Sequence, residues 1–218
     1  MKGRMAGAPV AEGSTAGTLA TPLPPHPVIE TERLRLAPLA PADAPEVQAL
    51  ASAFEISDMT LSIPHPYPDG AALSWIESIQ SSWAGGHGGS WSIRLRGDGP
   101  NGGGEGGRLV GVIHAELQPN NGSAELGYWI GVPFWGRGYM TEAVRAIIEM
   151  AFSALELNRV SAHFFVRNAA SGRVLTKAGM RTEGTLRQVI RKNGRYEDVT
   201  VCGILRSDWE ATRERPSR

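Results

Sequence analysis

From residue 127 to residue 143 the chain reads Gly-Tyr-Trp-Ile-Gly-Val-Pro-Phe-Trp-Gly-Arg-Gly-Tyr-Met-Thr-Glu-Ala. The pattern predicts the end of a strand, a glycine-bearing loop, and an amphipathic helix after Gly138. Apolar residues recur in that helix at spacings of three and four, at positions 140, 143, 144, 147, 148, 151, 152 and 155. The free N–H groups of a first helical turn bind anions, and Gly136 and Gly138 remove side-chain bulk there. The stretch alone fits either a phosphate-binding turn or a plain turn at the start of a helix. It does not fit a dinucleotide-binding Gly-x-Gly-x-x-Gly, whose third glycine is replaced by Thr141.

On either side of this stretch, strand and helix patterns alternate. Period-two alternation predicts strands at 33–38, 90–96, 108–117, 123–130, 160–166, 185–191 and 197–205. Helical spacing predicts further helices at 41–52, 69–83 and 169–178, the last one capped by Asn168 and ended by Gly179. The order indicates an α/β (α+β) fold, with a mixed sheet of about seven strands and about four helices.

Composition excludes several classes of protein. The chain has 218 residues, with 22 Lys and Arg against 22 Asp and Glu, so its formal net charge is zero. No global field therefore favours nucleic acid or an acidic membrane surface as a partner. No apolar run approaches the length of a membrane span. The single cysteine, Cys202, cannot form an internal disulfide, which favours a cytoplasmic protein.

Biased segments suggest the domain limits. Residues 1–29 are rich in Ala, Gly, Pro, Thr and Ser without periodicity, which predicts a flexible N-terminal tail. One domain is expected over residues 30–212, followed by a short C-terminal tail at 213–218. The glycine-rich segment 97–107 separates two predicted strands and is interpreted as a long hairpin loop.

The run from Glu125 to Ala143 resembles the acetyl-CoA site of the Gcn5-related N-acetyltransferases (GNAT), whose motif is Arg/Gln-x-x-Gly-x-Gly/Ala. Its particular form is similar to the RimJ/RimL-like branch, which acetylates the N-termini of ribosomal proteins. Further blocks of similarity lie at 31–36, 157–160, 168–180, 183–187 and 193–199, so the resemblance covers about residues 30 to 210. Two positions depart from the motif: Trp135 stands for Arg or Gln, and Met140 stands for Gly or Ala.

The resemblance implies a GNAT fold with a mostly antiparallel sheet, acetyl-CoA as cosubstrate, and backbone amides that hold the CoA pyrophosphate. It also implies that Arg173 and Lys177 meet the CoA 3′-phosphate, although a solvated basic helix face is the alternative. The implied cofactor-binding residues are Trp129, Ile130, Gly131, Trp135, Gly136, Arg137, Gly138, Tyr139, Met140, Thr141, Asn168, Ser171, Arg173 and Lys177.

Acetyl transfer to an amine needs a base for the amine, a donor for the oxyanion and a proton for the thiolate. We expect Glu125 to be the base, with Glu116 as second choice; a structural carboxylate is the alternative. The resemblance implies that Ser171 protonates the thiolate and that Asn168 lies near the pantetheine arm. A plain cap at Asn168, with Ser171 in the first turn, is the alternative to these two catalytic roles.

Other candidates are weaker. A single histidine on a strand, such as His114 or His163, is more often structural than a base. Some family members carry a glutamate where this chain has Ile190, and residues 168–180 contain no tyrosine that would serve as an acid. The five histidines and Cys202 lack metal-ligand spacing, so no metal is expected.

The predicted function is acetyl-CoA-dependent N-acetylation of a primary amine by direct attack in a ternary complex, with a protein N-terminal α-amine as acceptor. A small-molecule amine or antibiotic is the alternative acceptor. A CoA-binding module without activity is the alternative from another class. Dimers are frequent in such families, and a homodimer stays open.

Overall fold

The computed structural model describes residues 23–97 and 107–213. Most of the predicted N-terminal tail, nearly all of the glycine loop and residues 214–218 therefore lie outside the described residues. The strands are β1 (Ile29–Glu30), β2 (Leu34–Pro38), β3 (Gly88–Leu95), β4 (Leu109–Gln118), β5 (Ser123–Ile130), β6 (Arg159–Phe165), β7 (Arg181–Lys192) and β8 (Arg195–Leu205). The helices are α1 (Ala44–Ala51), α2 (Phe54–Met59), α3 (Ala71–Ile79), α4 (Tyr139–Ser153), α5 (Ala169–Lys177) and α6 (Arg206–Arg213).

All eight strands of the described chain form one sheet in the order β1-β2-β3-β4-β5-β6-β8-β7. Every neighbouring pair is antiparallel except β5 and β6, which run parallel. The predicted mixed, mostly antiparallel sheet is therefore confirmed. The expected seven strands and four helices become eight strands and six helices in the described residues. The added elements are the two-residue β1, the six-residue α2 and the polar α6, which are too short or too polar to show a periodic apolar pattern.

The apolar stripe of α4 packs on one face of the sheet, as its periodicity predicts. Its buried residues join strand residues in one core cluster: Met140, Ala143, Val144, Ile147, Ile148, Met150, Ala151 and Phe152. A smaller cluster joins Val47 of α1 and Ile76 of α3 to Leu109 and Val112 of β4. Helices thus pack against the sheet from both sides, as in a three-layer α/β arrangement.

The sheet opens between its two parallel strands. Strands β5 and β6 pair from Ser123–Arg159 to Leu126–Ala162 and no further within the described residues, although both strands continue. Beyond that point β5 still pairs with β4 up to Ile130, and β6 still pairs with β8 up to Phe165. The backbone edges of residues 127–130 and 163–165 therefore face an opening in the sheet.

Residues 23–28, the described end of the predicted tail, lie against two tryptophans. Trp83 Nε1 donates to the Pro24 carbonyl at 2.6 Å, and Trp91 Nε1 donates to the Pro27 carbonyl at 2.8 Å. The His26 ring stacks on Trp83 with 4.5 Å between ring centroids. Burial lowers the pKa of His26 to about 4, and nearby His114 adds to the effect. Contacts of the folded domain thus begin before residue 30.

Candidate active site

The loop between β5 and α4 presents unpaired backbone N–H groups. Gly136 and Gly138 have φ of +75° and +81°, a region that glycine adopts without strain. No side chain caps α4, and the first N–H of this turn with a recorded acceptor is that of Glu142, which bonds to Gly138 O at 3.1 Å. Within the described residues, the N–H groups at 136–141 have no recorded protein acceptor. The space beside Gly136, where a Cβ would point, is open. We call residues 136–141 the anion turn, because unpaired N–H groups at a helix start are the kind of group that binds anions.

Side chains distant in sequence hold the loop in place. Arg33, just before β2, donates from Nη1 to the Arg137 carbonyl at 3.0 Å and from Nε to Glu142 Oε2 at 2.7 Å. Thr31 Oγ1 donates to Glu142 Oε1 at 2.7 Å. Burial alone would raise the pKa of Glu142, but these bonds from Thr31 and Arg33 outweigh it and lower the pKa. Trp135, the residue that departs from the family motif, donates from Nε1 to the Ile130 carbonyl at 2.7 Å.

Two side chains at the start of α4, those of Tyr139 and Met140, pack toward the core. Met140 is only 4% exposed and belongs to the core, and Tyr139 packs against that core with Arg33 over its ring. Any binding at these two positions would therefore use their amides, so a methionine at position 140 leaves the turn itself unobstructed.

An open groove of about 690 Å³ runs from this turn along α4 to the end of α5. Lys177 lines the groove, whereas Arg173, one turn earlier on α5, is not among the residues that do. The groove is lined by Thr31, Glu32, Arg33, Gly138, Thr141, Glu142, Arg145, Ala146, Glu149 and Lys177.

The first turn of α5 lies where the sheet opens. Asn168 Oδ1 accepts a hydrogen bond from the Ser171 N–H at 3.1 Å, which is the predicted cap, and Asn168 Nδ2 donates to Met59 O at 3.4 Å. The Ser171 hydroxyl lies 2.7 Å from the Tyr128 hydroxyl. The structure thus brings Ser171 to β5, through a tyrosine that sequence reasoning had not singled out.

The opposite face of the sheet carries carboxylates and histidines. Glu125 Oε1 lies 3.2 Å from His163 Nδ1, and Glu116 pairs directly across from Glu125 in the sheet. The hydrogen bond to Glu125 raises the pKa of His163, against the smaller opposing effect of burial. Burial raises the pKa of Glu116, and the charge of Glu125 adds to it. Burial lowers the pKa of His114, whose Nδ1 lies 2.9 Å from Ser90 Oγ.

The site thus combines a helix start with unpaired N–H groups, an opening in the sheet beside it, and ionisable groups on both faces of that opening. The chain matches the acetyltransferase (GNAT) domain family over residues 33–181. It belongs to the GNAT family. The resemblance noted from the sequence is therefore confirmed, and the protein is an N-acetyltransferase.

Known proteins show the same relationship. The chain is 31% identical over 182 residues to the uncharacterized N-acetyltransferase YoaA of Bacillus subtilis (strain 168), covering 83% of this chain and 97% of YoaA. It is 34% identical to the ribosomal-protein-serine acetyltransferase of Escherichia coli (strain K12) over 94 residues, 43% of this chain and 52% of that protein. Among solved structures, RimL, a ribosomal L7/L12 α-N-protein acetyltransferase in complex with coenzyme A, superposes with a TM-score of 0.73. The identity there is 20%, with 82% of this chain and 98% of that chain covered.

In this GNAT acetyltransferase the predicted site residues divide into groups. Those at 136–141 form the anion turn, and Lys177 lines the groove that runs from this turn. Trp129 packs against the cluster of α1 and α3, on the same sheet face as Glu125, whereas Ile130 belongs to the core on the other face. Gly131 continues β5 by donating to Val110 O at 2.8 Å. Arg137 contributes its carbonyl to Arg33 and has an exposed side chain.

Three pairs were missed because each joins distant parts of the chain: Arg33 with Glu142, Tyr128 with Ser171, and Glu125 with His163. The residues were visible in the sequence, but no spacing pattern links them. In the part of the chain that the structure describes, no group of three or more His, Cys, Asp or Glu side chains could hold a metal ion. None of the described helices combines the length and apolar character that a membrane span requires.

Proposed function

We propose that this GNAT acetyltransferase moves the acetyl group of acetyl-CoA to the N-terminal α-amine of a protein, by direct attack in a ternary complex. The observation that carries the proposal is the opening between β5 and β6 beside the uncapped start of α4. A carboxylate in contact with a histidine lies on one face of this opening, and two hydroxyls in contact lie on the other.

The residues present fit coenzyme A. The N–H groups at 136–141 would receive the pyrophosphate, since their hydrogens have no recorded protein acceptor within the described chain and the space beside Gly136 is open. Lys177 would add a positive charge at the far end of the groove. The bound cosubstrate supplies an acetyl thioester, a carbonyl that an amine can attack.

Two proton-handling groups fit the two faces. On the face shared with Trp129, Glu125 would take the proton that the amine loses when its lone pair attacks the carbonyl. On the other face, Ser171 would donate toward the sulfur as the carbon–sulfur bond breaks and the bonding pair moves to sulfur. Asn168 would hold the first turn of α5 in place by accepting from the Ser171 N–H.

The protein acceptor is supported by the ribosomal-protein acetyltransferases among the relatives, one of which is named for a protein-serine acceptor. A cytoplasmic location would suit such an acceptor, and the unpaired, buried Cys202 is in keeping with it. A homodimer stays a prediction.

The test is calorimetric titration with acetyl-CoA, followed by a thiol-release assay on peptides that differ only in their N-terminal residue. Each peptide is paired with an Nα-blocked copy that keeps any lysine, and polyamines and aminoglycosides form a second panel. Release with free but not with blocked peptides is the expected result. Turnover on small amines but on no peptide would mean that the acceptor is a small-molecule amine and not a protein N-terminus. Binding without turnover would support a silent module, and absence of binding would overturn the CoA site.

A further inference from the structure

The Tyr128–Ser171 contact lies at the opening of the sheet. Tyr128 is two residues beyond Leu126, the last β5 residue that pairs with β6. Ser171 comes from the first turn of α5, which packs over β6: a Cβ at Gly172 would lie 2.9 Å from the Phe164 ring. The two hydroxyls, 2.7 Å apart, therefore span the opening on the face away from Glu125.

Burial favours one direction for this hydrogen bond. The Tyr128 ring packs against the main core, and burial raises the pKa of its hydroxyl, so Tyr128 keeps its proton. Within the described residues, Ser171 Oγ is the one acceptor recorded for that hydroxyl. The 2.7 Å contact allows either hydroxyl to donate. Because polar hydrogens shielded from water are nearly always satisfied, the inferred arrangement has Tyr128 donating and Ser171 accepting.

The consequence concerns the single hydrogen of the Ser171 hydroxyl. Ser171 uses its backbone N–H for the Asn168 cap, and its oxygen receives the Tyr128 hydrogen. A serine hydroxyl donates once and accepts twice, so its hydrogen is left for an acceptor in the opening. The acceptor that appears there during the proposed reaction is the sulfur of the leaving thiol.

We propose that Tyr128 is a positioning residue for the leaving thiol: by donating to Ser171 Oγ, it directs the Ser171 hydrogen to the sulfur. The inference rests on the proposed function. The new carbon–nitrogen bond forms with the amine lone pair, and the amine proton goes to Glu125. The carbon–sulfur pair moves to sulfur, whose charge the Ser171 hydrogen bond stabilises until the thiolate takes a proton from water.

In this assignment the phenol beside Ser171 comes from Tyr128 of β5, since α5 itself contains no tyrosine. Residues 168–180 contain no tyrosine, and the structure brings one to Ser171 from β5 instead. The two residues are 43 positions apart.

The test compares Tyr128→Phe with wild type on two acetyl donors, acetyl-CoA and S-acetyl-thiophenol. Thiophenol is a more acidic thiol and leaves without help from a donor. We expect Tyr128→Phe to lower kcat with acetyl-CoA by about 10-fold, the effect of one hydrogen bond, with KM for acetyl-CoA unchanged. With the thiophenol ester the loss in kcat/KM should shrink below about twofold.

Matched variants separate this role from a structural one. Tyr67→Phe, a partly buried tyrosine beside the smaller cluster, should leave both rates unchanged. Ser171→Ala should lower kcat with acetyl-CoA at least as much as Tyr128→Phe does. The double variant should lower it no more than Ser171→Ala alone. Thermal unfolding of each variant checks that the fold is kept.

Two outcomes would overturn the inference. The first is a wild-type rate of Tyr128→Phe with acetyl-CoA. The second is an equal loss of rate with both donors, since that would mean that Tyr128 only holds β5 and α5 together. If wild type binds acetyl-CoA but turns over no acceptor, the proposed function fails and the inference fails with it.

Discussion

The anion turn at 136–141 and the carboxylate–histidine face of Glu116, Glu125 and His163 are built in opposite ways. The turn is one continuous segment, and what it offers a ligand is backbone N–H groups. The face takes side chains from three strands, β4, β5 and β6, whose order in the sheet brings them together. A site made of backbone depends on conformation and should tolerate changes of side chain, such as methionine at position 140. A site made of side chains depends on each residue.

The largest effect is expected from closing the anion turn. Gly138→Trp should weaken acetyl-CoA binding more than about 100-fold, because a bulky side chain at the helix start would cover the amides. The variant also forces a non-glycine residue to φ of +81°, which costs about 1–2 kcal/mol of stability. Calorimetric titration measures the binding, and chemical unfolding measures the stability.

Gly70 provides the matched control. It precedes α3 as Gly138 precedes α4, with φ of +73°, ψ of −2° and open space around it. Gly70→Trp should therefore cost about the same stability while leaving acetyl-CoA binding intact. If both variants bind acetyl-CoA as wild type does, the turn does not hold the pyrophosphate.

On the carboxylate–histidine face, one side chain, that of Glu125, should account for most of the effect on activity. Glu125→Gln keeps the shape of the residue but removes the proposed base, and we expect kcat/KM to fall by about 100-fold at neutral pH. Glu116→Gln, on the neighbouring strand, should lower it less than about threefold. Steady-state kinetics with the best peptide acceptor measures both. The reverse ranking would move the base to Glu116.

Sequence reasoning succeeded where a local signal matched the final structure. Helix α4 follows from its apolar spacing, and the turn before it follows from Gly136 and Gly138, because both features depend on neighbouring residues alone. The Asn168 cap was predicted for the same reason. Helix α2 and helix α6 were missed, since six residues and a polar surface leave no period to detect.

The rest depends on tertiary pairing. The opening between β5 and β6 arises from where their pairing stops, and nothing in either strand marks that point. Glu125 meets His163 only because β5 and β6 are parallel neighbours in this register. Sequence also treated Arg173 and Lys177 alike, as two basic residues one turn apart on α5. The structure distinguishes the two residues, because Lys177 lines the groove and Arg173 does not.

That separation yields a smaller prediction. Lys177→Gln should weaken CoA binding by about three- to fivefold, the effect of one exposed ion pair, and less at high salt. Arg173→Gln is the matched control and should change nothing. Dephospho-CoA, which lacks the 3′-phosphate, should bind wild type and Lys177→Gln equally. Equal losses for the two basic variants would mean a general basic surface instead of a defined contact.

The smallest expected effect is on the stability that the carboxylate–histidine face contributes to the fold. Because the pKa of His163 is raised from 6.5 in the folded protein, its pair with Glu125 stabilises the fold below the unfolded-state pKa. That contribution is lost as the pH rises through the folded-state pKa. Glu125→Gln should therefore lower the free energy of unfolding by about 0.5 kcal/mol near pH 5.5 and by nearly nothing near pH 9. Urea unfolding at the two pH values measures this, with His163→Gln as the partner variant of a double-mutant cycle. A cost that is equal at both pH values would mean that Glu125 holds His163 without a charge on the ring.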